Sequence, residues 1–205
     1  MTLRTGLLLF NDAEELDFVG PWEVFTMANE VAGHSGGGKK PFETLMIAET
    51  SEPVRCRKGM RVLPDATIEN CGKLDIILIP GGQGTRAEVK NEKLLAWIAK
   101  TAPGCTWITS VCTGALLLTA AGPARGKRVT THWGFIDQLR ARQEAAEVLE
   151  KVRYVRDGNV VTAAGVSAGI DMALWLVGQI ESPAFARNVQ RAMEYDPAPP
   201  YAAAV

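Results

Sequence analysis

The run Asp75-Ile76-Ile77-Leu78-Ile79-Pro80 constrains the fold more than any other part of the chain. A strand with one wet face alternates apolar and polar residues, and this run does not alternate. It therefore reads as a central strand of a parallel sheet, spanning 73–80, covered on both faces and closed by the turn Gly81-Gly82-Gln83-Gly84. Parallel neighbours require crossover connections, usually helices. The remaining sequence supplies them, because apolar runs of strand length alternate with segments of helical period. The expected class is α/β: a flavodoxin-like three-layer sandwich in one domain covering 1–205, with a mostly parallel central sheet.

Strands are expected at 3–10, 42–48, 106–109 and 128–131, with two more flanking Asp157-Gly158-Asn159. Helices are expected at 18–31, 91–101, 115–120, 133–142, 167–180 and 183–194. A small hairpin at 54–62 turns near Lys58-Gly59, and the Gly- and Lys-rich stretch 33–41 is a surface loop with His34 solvated.

With 205 residues, 47% of them hydrophobic, the chain can bury a full core, and its formal net charge of -1 is spread without a basic face. A nucleic-acid partner is therefore not expected, and a small, non-polyanionic substrate is. No apolar run approaches the roughly 20 residues that cross a bilayer. The opening apolar stretch meets Asn11-Asp12-Ala13-Glu14-Glu15 where a cleavage site would stand, so it reads as a strand and not a secretory leader. Cys56, Cys71, Cys105 and Cys112 show neither CxxC spacing nor a local histidine. They imply no metal site and suit a reducing compartment, the cytoplasm.

Ligands of open parallel sheets bind beyond the carboxyl ends of the strands. Loops 11–17, 80–84, 110–114 and 163–169 all end strands and can surround one pocket. In Ser110-Val111-Cys112-Thr113-Gly114, Cys112 sits on a strand-to-helix turn, where the helix terminus favours thiolate. Burial as a small packing residue is the alternative. Asp17 begins a helix, either as a cap or, beside Cys112, as a carboxyl kept protonated by burial; Glu15 is the competing acid. The amides of Gly81, Gly82 and Thr113 offer an oxyanion cradle, although a plain strand-ending turn explains the glycines equally well. His132 either activates the thiol or packs. The small residues of 163–171 permit close backbone approach, which sets Val166 among the substrate-binding candidates, although packing against the sheet is the plainer reading; Ser167 lacks a nucleophile frame.

Together these segments resemble the ThiJ/PfpI superfamily, whose fold is that of the class I glutamine amidotransferases. The carriers are Leu16-Asp17-Phe18-Val19-Gly20-Pro21-Trp22-Glu23-Val24-Phe25, Ile79-Pro80-Gly81-Gly82, Ser110-Val111-Cys112-Thr113-Gly114-Ala115, Thr131-His132-Trp133 and Ala168-Gly169-Ile170-Asp171. Including the terminal segment 194–200, the chain is most similar to the branch that hydrates isonitriles. The resemblance implies a homodimer without cofactor, Cys112 on a nucleophile elbow, Asp17 as the acid and Thr113 in support. Threonine after the cysteine departs from the peptidase and glyoxalase-like branches. Two readings stand beside hydration: glyoxalase-like or hydrolytic chemistry by Cys112 with His132, and a sensor in which Cys112 is oxidised. The motifs also occur in regulators that carry a helix-turn-helix region after them; residues 196–205 are too few for one, so a stand-alone enzyme is the expectation. The 33–41 loop and the charged 140–150 link depart from the pattern.

Overall fold

The computed structural model describes residues 1–34 and 39–197; part of the 33–41 loop and the end of the 194–200 segment lie outside them. The first strand, β1 (Leu3–Leu8), leads to α1 (Glu15–His34), β2 (Phe42–Ala48), the hairpin β3 (Val54–Arg55) and β4 (Arg61–Val62), and the short β5 (Ala66–Thr67). Next come β6 (Ile76–Ile79), the single turn α2 (Thr85–Glu88), α3 (Glu92–Thr101), β7 (Trp107–Val111) and α4 (Gly114–Ala121). The last part holds β8 (Arg128–Val129), α5 (Ile136–Ala141), β9 (Glu147–Val148), β10 (Tyr154–Asp157), β11 (Val160–Ala163), α6 (Ala168–Ile180) and α7 (Pro183–Ala192).

Among the described residues the main sheet has seven strands in the order β10-β11-β7-β6-β1-β2-β5. Every pairing is parallel except β10 with β11. All four residues of β6 are 0% exposed, as an unbroken apolar run in mid-sheet requires. One face packs Val24, Phe25 and Ala28 of α1 against Ala173, Leu176 and Val177 of α6 and Val189 of α7. The other buries Leu94 and Ile98 of α3 with Leu116, Leu117 and Leu118 of α4. The expected three-layer α/β architecture is therefore present.

The chain builds outward from β1 through β2 to β5, then returns to the other side of β1 with β6, β7 and β11. This reversal opens a crevice between the loops after β1 and β6, where ligands of open α/β sheets bind. An isolated bridge between Ala13 and Gly82 ties those two loops together.

Where elements differ from expectation, local hydrogen bonding explains the difference. The 18–31 helix starts earlier, at Glu15, with Glu15 and Asp17 both in its dipole-favoured first turn. The 128–131 strand stops at Val129 because Thr130 N donates to Thr162 Oγ1 (2.8 Å) and Thr131 Oγ1 donates to the Cys112 carbonyl (2.8 Å). The 133–142 helix divides into a 3-10 turn, Trp133–Phe135, and α5, with His132 accepting from Gly134 N at the head of the turn. No helix among the described residues is long and apolar enough to cross a membrane.

Phe25 is 0% exposed, and its ring centre lies 4.9 Å from that of Phe42, joining α1 to β2. Phe25→Ala should lower the unfolding free energy by about 3–5 kcal/mol, measured by urea denaturation. A loss below about 1 kcal/mol would show that this face of the sheet is not tightly packed.

Candidate active site around Cys112 and Asp17

β7 ends at Val111, and Cys112 follows in the left-handed region at φ 56°. A cysteine held there stores roughly 1–3 kcal/mol of backbone strain, so the surroundings must fix it. They do so from both sides: Cys112 N donates to the carbonyls of Ala164 (2.8 Å) and Ala163 (3.1 Å), and its own carbonyl accepts from Thr131. The next turn can form only with glycine at 114, because a Cβ there would meet the Ile79 carbonyl oxygen. Cys112 is buried, with 6% of its surface exposed.

Asp17 is 0% exposed. Its Oδ2 accepts from Gly81 N at 2.8 Å, while Oδ1 is buried without a hydrogen-bond partner. Burial, with the Glu14 carboxylate nearby, raises the Asp17 pKa to about 7 against the lowering effect of Gly81. The Cys112 thiol lies close enough to lower it as a donor, although no hydrogen bond of ordinary geometry closes on Oδ1.

The thiol itself is pushed up to about 12, by burial first and by Asp17 second, with the Thr113 amide and hydroxyl opposing. This corrects the expectation that the helix terminus holds Cys112 as thiolate. A helix end contributes about 0.3–1 kcal/mol, whereas raising a thiol to about 12 corresponds to roughly 4 kcal/mol. Burial beside a carboxyl group wins. Asp17 and Cys112 titrate as a pair that keeps one proton between them above neutral pH.

The expected oxyanion cradle is also corrected. The Gly81 amide is taken by Asp17, and the Gly82 amide by Thr113 Oγ1 at 3.0 Å. Thr113 Oγ1 further accepts from Thr85 Oγ1 (3.1 Å), so this hydroxyl anchors the 80–84 loop. Arg86 Nη1 donates to the Gly82 carbonyl (2.8 Å), and its guanidinium lies 4.4 Å from the centre of the Phe135 ring. Gly81 has to be glycine, since a Cβ would lie 2.8 Å from Cys112 Cβ and also meet Thr113 N.

His132 is half-buried. Its Nδ1 accepts from Gly134 N (3.1 Å), so in the neutral ring the proton resides on Nε2. Its pKa is lowered by burial, and Glu14 opposes that effect. Its ring packs against Gly165, where a Cβ would lie 3.2 Å from Cγ, and none of its described contacts reaches the Cys112 sulfur. Val166 lies on the β11–α6 turn at φ 49°, an uncommon conformation for a β-branched residue, next to the Ala163 and Ala164 carbonyls that hold Cys112. Glu15, the competing acid, turns away: its Oε1 accepts from Lys58 N (2.6 Å).

The group missed in the sequence is Glu14, which acts electrostatically on Asp17, Cys112 and His132 alike. Its neighbour Ala13 bridges to Gly82, so the residue after it was bound to stand near the 80–84 loop. That pairing is visible only after folding.

A profile of the DJ-1/PfpI family matches residues 4–179, and the chain belongs to that family. It is 38% identical over 98% of its length to the isonitrile hydratase of Pseudomonas putida, covering 82% of that protein. It is 28% identical to the Parkinson disease protein 7 homolog of Danio rerio, over 91% of this chain and 94% of that one. Among solved structures, a ThiJ/PfpI family protein from Pseudomonas syringae superposes with a TM-score of 0.86 at 31% identity, over 100% of this chain and 80% of the other.

A carboxyl whose folded-state pKa is raised to about 7 costs stability once the unfolded chain has ionised. Between pH 4 and pH 7 the unfolded state has lost this proton while the native state keeps it, so its contribution falls as pH rises. Asp17→Asn should therefore be more stable than the parent at pH 8, by about 2–4 kcal/mol, with the difference vanishing near pH 4. Denaturant titrations at both pH values check this.

Proposed function

We propose that the protein hydrates small isonitriles to N-formamides, with Cys112 as nucleophile and Asp17 as proton carrier. The observation that carries the reading is the Asp17–Cys112 pair, sulfur and carboxyl side by side with one proton between them above neutral pH. An isonitrile must accept a nucleophile and a proton at the same carbon, which calls for this juxtaposition. The 38% identity to an isonitrile hydratase supports the same substrate class.

The reactive form has the proton on Asp17 and the charge on sulfur. The thiolate bonds to the terminal carbon, and Asp17 delivers its proton to that carbon, giving a thioimidate and an Asp17 carboxylate. Water adds next: Asp17 takes one of its protons, the hydroxyl bonds to carbon, and the proton passes to nitrogen. The tetrahedral adduct then returns its hydroxyl proton to Asp17 and expels the Cys112 thiolate, releasing the formamide and restoring the pair. Thr113 contributes its backbone amide beside the sulfur, while its hydroxyl holds the Gly81-Gly82 loop, which in turn holds Asp17. No cofactor takes part. His132 stays outside the proton path, which favours hydration over chemistry that needs a Cys/His pair. We assign the protein to the cytoplasm, which its four free cysteines suit, and, as the resemblance implies, to a homodimer.

Purified protein with alkyl and aryl isonitriles should yield formamide by NMR, and Cys112→Ala should yield none. Asp17→Asn should lower kcat by about 100-fold or more. The rate should rise with pH through about 7, where the pair first ionises, and then level off. No formamide from several isonitriles, or turnover retained in Cys112→Ala, would reject the assignment.

A further inference from the structure

The β3–β4 hairpin lies over the loop that follows β1 as a strap. Asp12 N donates to the Arg55 carbonyl (2.9 Å), Arg57 N to the Ala13 carbonyl (2.9 Å), and Arg55 N to Asn11 Oδ1 (3.0 Å). At the hairpin tip Lys58 N binds Glu15, and Lys58 Nζ forms an ion pair with Glu14. Glu14 is fixed at both ends of its backbone: its N donates to the Gly81 carbonyl (2.9 Å), and its carbonyl accepts from Asp17 N (3.1 Å). Its side chain is 14% exposed, whereas that of Lys58 is 67% exposed. One carboxylate is thus anchored beside the Asp17–Cys112 pair, and its counter-ion reaches in from solvent on a separate element.

We propose that the Lys58–Glu14 ion pair is the electrostatic control of the site, with Glu14 holding the shared proton on Asp17 and Cys112 and Lys58 loosening it. Lys58 and Glu14 are in this sense positioning residues, acting through charge and not through contact with substrate. The inference takes Cys112 as the reactive group, as in the hydration reading, but its test needs no isonitrile.

The charged and polar groups that face the pair are few. Asp17 faces the Gly81 amide, Glu14, Cys112 and Lys58; Cys112 faces Asp17, Glu14 and the Thr113 amide and hydroxyl. Glu14 also faces His132, and Lys58 is drawn by Glu14, Glu15 and Asp17. Among the described residues the cation named as acting on the pair is Lys58 and the carboxylate outside it is Glu14, with Glu15 acting on Lys58, so removing Lys58 or Glu14 should move the pair in opposite directions. The exposure of Lys58 keeps its share modest, because water and salt screen it.

The measurement is the rate of Cys112 alkylation by iodoacetamide against pH, with the modified peptide quantified by mass spectrometry to separate Cys112 from the other cysteines. Lys58→Met should move the midpoint of the profile up by roughly 0.3–1 pH unit, and Glu14→Gln should move it down by a similar amount. Lys58→Arg, which keeps the cation, should restore the parent profile. A strap that acts only mechanically would shift both variants the same way. Shifts of the same sign, or unchanged midpoints with Cys112 still alkylated, would overturn the proposal. Because formamide production is never read, absence of hydratase activity and failure of this inference remain separate results.

Discussion

A carboxyl group buried to 0% exposure beside a thiol is an unfavourable arrangement, and most of the local structure exists to hold it. Asp17 receives one hydrogen bond, from Gly81, and leaves its other oxygen unpartnered. A lone buried oxygen costs about 1–3 kcal/mol, an expense that a purely structural residue would shed by becoming apolar. Here it buries two acids close enough that ionising one hinders the other. Asp17 raises the proton affinity of Cys112, whereas the Cys112 thiol, as a donor, lowers that of Asp17.

The topology brings the two groups together. Asp17 enters on the first turn of α1 after β1, Gly81 follows β6, and Cys112 follows β7, three adjacent strands of the sheet. The left-handed backbone at Cys112 is held by the Ala163 and Ala164 carbonyls from the end of β11 and by the Thr131 hydroxyl. The 80–84 loop is pinned by Thr113, Thr85 and Arg86. Every pin is a short polar contact between loops at the carboxyl edge of the sheet. A displacement at any of them is passed to the sulfur or to the carboxyl.

The main strands and helices were legible in the sequence from apolar period, and loops at one edge of a parallel sheet allowed Asp17 to meet Cys112, a pairing that the resemblance implied and the residues alone left open against a helix cap. The hairpin turning at Lys58-Gly59 was legible for the same reason. Two-residue strands such as β5 and β9 carry too little pattern to register. Charge was harder: a helix terminus under Cys112 suggested a thiolate, but burial and the adjacent acid outweigh it, and burial is a property of the fold. The Gly81 and Gly82 amides read as free donors because nothing in the sequence shows that Asp17 and Thr113 consume them. Glu14 and Glu15 are adjacent, and only the backbone path decides which of them faces the site.

The chemistry follows from proton sharing more than from any single strong group. A thiol with a pKa near 12 is a poor nucleophile alone, and a carboxyl near 7 is only a modest acid. In the proposed hydration the carboxyl takes the thiol proton and then delivers it to the carbon that the sulfur attacks. The most direct test follows the Gly81 amide by NMR from pH 4 to pH 9, because this N–H donates to Asp17 Oδ2. A single titration centred near pH 7 is expected. A midpoint near pH 4, the ordinary range of an aspartate, would show that Asp17 carries no proton at neutral pH, and would contradict this.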